Sequence, residues 1–480
     1  MKFAHLLAAL LLFLPPAMAD GLPDLGESSQ NAFSPQQERR IGEAIMRDIR
    51  ASGASGAMVD DIELSEYLNS LGYRLVASSE GNRQDFEFFL IRDNTLNAFA
   101  LPGGYIGVHT GLIQSAQSES ELASVLAHEI AHVSQRHLAR IIAKSQQSTL
   151  ASLAAIAVAI LAARSNPQVA NAAISTAQAA SIQTQLDYTR DHEREADRIG
   201  LQTLVRAGFD PRAMPAFFGR LQKFGRLYEN NAPEYLRTHP LTTERIADIQ
   251  NRVESLPYHQ VADSLEFQFA RAKLAAAQGT PQQAVKVFDE ALREKKYSNE
   301  NAQRYGLVSA LMRAGEHARA ERELEILRKD SAPSAMIETL AARLKAQAGQ
   351  PAAALALYRA ALKRFPHYRA LIYGHAETLL QNRQENEALK LVTEQLKTYP
   401  ADYRLYQLQA QAYAAQGKQL LQHQALAEAY ALQGNLPAAI EHLQIGLKSR
   451  DGDFYQLSIA EARLKQLRQL DKEAGKHSSP

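Results

Sequence analysis

The sequence predicts a mainly α chain in two parts: an α-rich amino-terminal domain with a small β-sheet, then a carboxy-terminal α-solenoid of tetratricopeptide repeats. Three observations predict it. An amphipathic helix runs over about 121–140, three short strand-like runs rich in aromatic and aliphatic residues lie between 86 and 109, and a period of about 34 residues starts past residue 262. At 480 residues, 46% of them hydrophobic, the chain can bury more than one core.

Residues 1–19, MKFAHLLAALLLFLPPAMA, read as a secretory signal peptide: one lysine, an apolar run over Leu6–Leu14, and a small-residue cleavage site ending at Ala19. The run falls short of the roughly 20 apolar residues that a span needs. No cysteine occurs anywhere, so no disulfide staples the exported chain. Lysine plus arginine, 53, nearly equal aspartate plus glutamate, 52. Without Lys2 the mature chain is neutral, and that argues against nucleic acid as a partner.

The first domain is expected over 20–255. Ser34-Pro35-Gln36-Gln37 supplies a cap with proline at the first helical position, and Ile41, Ile45 and Ile49 form the stripe of the helix that follows. Three strands follow, at Phe86–Ile91, Asn97–Leu101 and Tyr105–His109, the last two joined through Pro102-Gly103-Gly104.

The next helix carries the chemistry. Ser118 is its expected N-cap with Glu121 at the third position, and Leu122, Val125, Leu126, Ile130 and Val133 recur at helical spacing to about Arg140. Within it stands His128-Glu129-Ile130-Ala131-His132. Residues four apart share a helix face, so two imidazoles can address one ion. Glu129 lies about 100° round, within reach of a water there. The pattern alone also fits two histidines on a solvated face. A catalytic zinc takes three protein ligands and keeps a fourth position open, so a third donor is needed. Asp191-His192-Glu193-Arg194-Glu195-Ala196-Asp197 opens a second helix about sixty residues on. Its Glu193 and Asp197 share a face, one suited to bind and the other to orient a histidine, while Glu195 stays open as the alternative donor.

HExxH followed by ExxAD resembles the gluzincin peptidases that include the CAAX prenyl endopeptidase and the HtpX heat-shock protease, over about 34–250. The resemblance implies an α-rich zincin metalloprotease fold and one Zn2+ per chain. It implies His128, His132 and Glu193 as ligands, Glu129 as general base and Asp197 behind the ligands. In that family a His-Pro and a following arginine sit near the active centre. Thr238-His239-Pro240 and Arg245 match them, so His239 either stabilises an oxyanion or takes the fourth metal position at rest, the alternative being a turn residue that caps the next helix. The family's edge strand pairs with an extended peptide, so Asn97, Ala98, Phe99 and Ala100 are expected to bind substrate through the backbone, or to form a plain structural hairpin. His109, His137 and His192 match no motif and are expected at the surface or behind the ligands.

Between the two motif helices, 145–186 holds a single charged residue, Arg164. The apolar Leu150–Ala163, fourteen residues, is too short to span a bilayer. It is expected either to pack on the catalytic domain as a lid or to make peripheral membrane contact.

A linker at Leu256–His259 leads to the repeats, expected over 262–470. Gly279, Gly315, Gly349, Arg383 and Gly417 are spaced 36, 34, 34 and 34 apart. Ala284, Ala320 and Ala354 follow the first three, and Pro366 and Pro400 close helices. Glycine suits the turn and alanine the close helix pair, so about four stacked repeats are expected, presenting a concave surface for a peptide or protein, or shielding the first domain. The tail, 471–480, is expected to be disordered from Gly475. With leader and repeats, the resemblance narrows to periplasmic family members of Gram-negative bacteria. It then implies the β-barrel assembly machinery and outer-membrane protein precursors as partners, including the lipopolysaccharide-export barrel, and a chaperone-like role beside cleavage. The competing class is a repeat adaptor with a shut or structural metal site.

Overall fold

The computed structural model describes residues 34–51, 58–80, 85–144, 190–227, 234–258, 260–449 and 451–478. The expected leader at 1–19 and the apolar hairpin at 145–186 lie outside the described residues. Among the latter, no helix is long and apolar enough to cross a membrane.

The first part runs α1 (Pro35–Ala51), α2 (Ile62–Ser78), β1 (Glu87–Ile91), β2 (Ala98–Leu101), β3 (Tyr105–His109), α3 (Thr110–Ser115), α4 (Glu119–Ser134), α5 (His137–Lys144), α6 (Arg190–Arg206), α7 (Ala213–Leu227), α8 (Glu234–Thr238) and α9 (Thr243–Glu254). Ser34 and Gln37 exchange the two bonds of a capping box, as the sequence suggests. The sheet order is β1-β3-β2, with β1 parallel and β2 antiparallel to β3. Gly103, at φ 76°, makes the turn from β2 towards β3 where a side chain would be strained.

Helix α4 is the centre of the domain. Its N-cap Ser118 accepts from the Glu121 backbone N–H. The Glu121 carboxylate turns one residue further out, to the Gln117 N–H at 2.6 Å, and pairs with Arg220. Every residue from Glu119 to Val133 is buried, not just the apolar stripe, because α2, β2, α6 and α7 pack round it. Leu122, Val125, Leu126 and Ile130 join Leu68, Phe88, Val108, Leu204, Phe217 and Ile249 in one core. Gly200 on α6 makes the closest approach possible: a Cβ there would stand 3.0 Å from the His128 backbone nitrogen. Removing that side chain sets α6, and with it Glu193, against the two histidines.

The helix expected to reach Arg140 is broken. It ends at Ser134, Arg136 takes a left-handed φ of 52°, and α5 begins at His137. Neither glycine nor proline marks the break, so helical spacing alone ran through it.

Among the described residues, twelve helices form the second part: α10 (Leu265–Ala276), α11 (Pro281–Arg293), α12 (Glu300–Arg313), α13 (His317–Asp330), α14 (Ala335–Gln347), α15 (Pro351–Arg364), α16 (Arg369–Gln381), α17 (Glu385–Thr398), α18 (Tyr403–Ala415), α19 (Gln419–Leu432), α20 (Leu436–Gly446) and α21 (Phe454–Ser478). They make six pairs where about four repeats were expected: the five periodic positions fall at the turns within the first five pairs, and the sixth pair lies beyond the last of them. Gly279, Gly315, Gly349, Arg383 and Gly417 all have φ between 56° and 75°, so the periodic position is the one that demands a left-handed turn. Ala284, Ala320 and Ala354 are buried between paired helices. The tail expected to be disordered is helical as far as Ser478. The run ARLKQLRQLDKEA is built of strong helix formers, which one late glycine does not outweigh.

Arg383 is the exception that tests this turn. Its exposed side chain sits at φ 56°, where an L-residue costs roughly 1–2 kcal/mol. Arg383→Gly is expected to stabilise the repeats by roughly 0.5–1 kcal/mol, the strain relieved less glycine's extra unfolded-state entropy. A urea midpoint that falls instead would contradict it.

The repeats fold back on the first part. Phe267, Ala270 and Leu274 of α10 enter the α4 core. The Glu119 carboxylate, in the first turn of α4, accepts from Ser264 Oγ at 2.7 Å, and Lys273 pairs with Asp61 at 2.7 Å and with Glu63. Arg369 meets Glu66 at 3.0 Å. A cavity lined by Asp61, Arg92, Gln114, Lys273, Arg313 and Arg343 lies at this junction, away from the histidines.

Candidate metal centre

Helix α4 presents His128 and His132 one turn apart, α6 presents Glu193, and the residue after α8 presents His239. One donor atom from each lies within 4.8 Å of the others, and all four residues are buried. His128 Nε2 and His132 Nε2 are 2.9 Å apart. Glu193 stands 3.5 Å from the first and 3.4 Å from the second, and its Oε1 is 3.0 Å from His239 Nδ1. Donor atoms about 2.0–2.2 Å from a tetrahedral ion lie about 3.3–3.6 Å from each other, so the two distances from Glu193 to the motif histidines match, the 2.9 Å and 3.0 Å contacts are shorter, and the nitrogen and oxygen donor set suits a metal. Glu129, fully buried beside the group, has neither carboxylate oxygen in a well-formed hydrogen bond.

Behind the group, Asp197 Oδ1 lies 3.0 Å from His128 Nδ1. Arg245 grips Asp197 with Nε at 2.7 Å and Nη2 at 2.8 Å, and its Nη1 reaches Glu193 Oε2 at 2.8 Å. The Thr242 hydroxyl accepts from the Arg245 N–H and so starts α9 at the point that aims this guanidinium inwards. Burial disfavours the charge of Arg245, yet Asp197 and Glu193 hold it firmly protonated. Burial also pulls His128 down, but its hydrogen bonds to the Asp197 and Glu193 carboxylates push it up to about 9. His132 is held down to about 3 by burial, against its bond to Glu193. Glu193 is depressed well below the carboxylate range because the three histidines outweigh its burial. Burial raises Glu129, with His239 and His128 opposing.

Each residue singled out in the sequence has a definite place. Glu195, the alternative donor, is outside the group: its Oε2 accepts from Arg140 at 2.8 Å and stands 3.1 Å from His137 Nε2. Helix α6 turns it away from Glu193. On β2, the Asn97 carbonyl accepts from the His109 N–H, and the pairs Phe99↔Gly107 and Leu101↔Tyr105 continue that alternation. Antiparallel pairing therefore leaves the backbone groups of Ala98 and Ala100 turned to the open edge of the sheet. The Phe99 ring lies over Gly107, and Asn97 is buried. Of the four expected substrate-binding residues, Ala98 and Ala100 thus have their backbone groups at the sheet edge, Ala98 itself being buried and the Ala100 N–H turned towards Glu129.

The motifless histidines are all buried, contrary to a surface placement. His109 joins Thr95 at 2.9 Å, whereas His137 and His192 stack 4.5 Å apart behind His132. Tyr235 was not marked by any motif. Its ring packs 4.6 Å from that of His239, four residues on, and its buried hydroxyl has no hydrogen-bond partner. The i, i+4 spacing to the His-Pro pair was the available signal.

Residues 63–253 match peptidase family M48, and 345–412 match the tetratricopeptide repeat. A β-barrel assembly-enhancing protease of Yersinia pestis is 35% identical over 95% of this chain and 94% of its own length. The chain belongs to that protease family. The Escherichia coli K12 β-barrel assembly-enhancing protease is likewise 35% identical, over 97% of this chain and 96% of its own. A Vibrio cholerae protein named as a putative member is 45% identical over 54% of each. Membership makes the chain a metallopeptidase with an M48 domain followed by repeats, and within that domain the His128, His132, Glu193 and His239 group could hold a metal ion.

Proposed function

We propose that this chain is a zinc-dependent endopeptidase of the periplasm that degrades misassembled outer-membrane β-barrel proteins and, apart from cleavage, promotes their assembly. The observation that carries the reading is the buried convergence of His128, His132 and Glu193 beside Glu129, on a chain related along nearly its whole length to β-barrel assembly-enhancing proteases. Residues 1–19 are its signal peptide, 20–255 the protease domain, 262–470 the repeat domain, and 471–480 the end of the chain. Its partners are the β-barrel assembly machinery and barrel precursors, including the lipopolysaccharide-export barrel.

His128, His132 and Glu193 would hold a zinc ion, which would supply Lewis acidity towards a peptide carbonyl and water. Glu129 takes a proton at its carboxylate and returns it to the leaving nitrogen. Asp197 accepts from His128 Nδ1–H and keeps the other ring nitrogen free to bind, while Arg245 holds Asp197 and Glu193 in place. Ala98 and Ala100 pair with the substrate backbone, which suits an enzyme acting on unfolded chains of varied sequence.

His239 closes the group. Its Nδ1 is 3.0 Å from Glu193 and its Nε2 3.4 Å from Glu129, and it is 1% exposed. This supports His239 as the occupant of the fourth metal position in a resting enzyme. It also gives the adaptor reading, a repeat chaperone with a latent metal site, its one specific support. The test uses the mature protein and a purified unfolded outer-membrane barrel as substrate. Cleavage is expected to stop with a chelator and return with Zn2+, and His239→Ala is expected to cleave faster than wild type. Cleavage indifferent to chelation would overturn the peptidase reading; a slower His239→Ala would move His239 to oxyanion stabilisation.

A further inference from the structure

The break in the active helix builds a second support for the metal centre. In a continuous helix His137, five residues past His132, would point about 140° away from it. The left-handed Arg136 instead swings α5 round, so that His137 Nδ1 lies 2.8 Å from His132 Nδ1. Its other nitrogen, Nε2, lies 3.1 Å from Glu195 Oε2, and Arg140, one turn further along α5, donates to the same oxygen at 2.8 Å. His192 stacks on the His137 ring at 4.5 Å and 15° and fixes its plane. His137 is fully buried.

A carboxylate only accepts, so the Glu195 contact places a hydrogen on His137 Nε2. A neutral imidazole has one N–H, which leaves His137 Nδ1 as an acceptor. His132 then donates from its own Nδ1, and its Nε2 lone pair faces His128 and Glu193. On the other side of the centre, Asp197 does the same for His128 directly, and Arg245 ties Asp197 as Arg140 ties Glu195. The two histidines of the motif thus sit on two carboxylate supports, one direct and one relayed through a third imidazole.

We propose that His137 is a positioning residue for the metal centre: with Glu195 and Arg140 it holds His132 in the tautomer and ring plane that offer Nε2 to a metal. It touches neither substrate nor ion. The proposal rests on the reading of His132 as a ligand, and the expected size of a lost partner of this kind is about 10- to 100-fold in metal affinity.

The test is Zn2+ affinity of the full mature chain, measured by competition with a chromophoric chelator, for three replacements of His137. In geometry, an asparagine carbonyl stands in for ring Nδ1 and a glutamine amide for ring Nε2. His137→Leu and His137→Gln are therefore both expected to bind Zn2+ about 10- to 100-fold more weakly, and His137→Asn to recover most of the loss. A packing role would instead leave Asn and Gln alike, and that result, or wild-type affinity in His137→Leu, overturns the proposal. Should the leucine variant fail to fold, the Asn-against-Gln contrast decides alone. His132→Ala run in the same assay separates the two claims: undiminished affinity there overturns the ligand reading itself, whereas lost affinity there with an unaffected His137→Leu overturns only the relay.

Discussion

Glu129→Gln is expected to leave the chain folded and able to bind Zn2+ while lowering the rate of peptide cleavage by about 10²- to 10⁴-fold, the usual contribution of a positioned acid–base group. The amide has the shape of the carboxylate and can occupy the same fully buried slot beside His239. It cannot take a proton. Glu129 stands outside the group of four donors and meets only His239 among them, at 3.4 Å, so its loss should not loosen the metal. Parallel measurement of Zn2+ content and turnover on an unfolded barrel protein checks both halves. A variant with near wild-type turnover would remove Glu129 from the chemistry, and one that had lost its zinc would make it a structural prop.

The second large effect is expected at Arg245, and it concerns stability. Its guanidinium, 3% exposed, is the buried cation between Asp197 and Glu193. Arg245→Met keeps much of the volume but leaves two buried carboxylates without that partner. Breaking a buried ion pair from one side costs about 3–5 kcal/mol. The loss should be smaller in Zn2+ than in chelator, because a cation at the histidines offsets Glu193 though not Asp197. Denaturant unfolding under both conditions measures this. Equal and small losses would mean that Arg245 is a surface-like pair with little role in holding the centre.

Much of this centre was legible because local rules carry it. His128 and His132 share a face by helical spacing, and Glu193 with Asp197 by the same rule on a second helix. Ser118 and Ser34 cap where sequence places them, and the 34-residue step falls on the residues with positive φ, Arg383 included. What was not legible depends on long-range packing. The left-handed Arg136 carries no glycine or proline signal, and without it His137 has no route to His132. Glu193 and Glu195 differ by two positions on one helix, and only the approach of α6 over Gly200 decides which faces the histidines. Nor does periodicity show that Glu119, in the first turn of the active helix, is anchored by Ser264 at the start of the repeats. Such contacts join residues 145 apart and obey no sequence period.

The metal is central to the proposed chemistry. Zn2+ content of the purified mature protein, wild type beside His128→Ala, is the measurement to make. About one ion per chain in the wild type, and almost none in the variant at the same free Zn2+, is the predicted result. Equal zinc in both proteins would contradict the ligand assignment, and with it the centre from which the mechanism is derived.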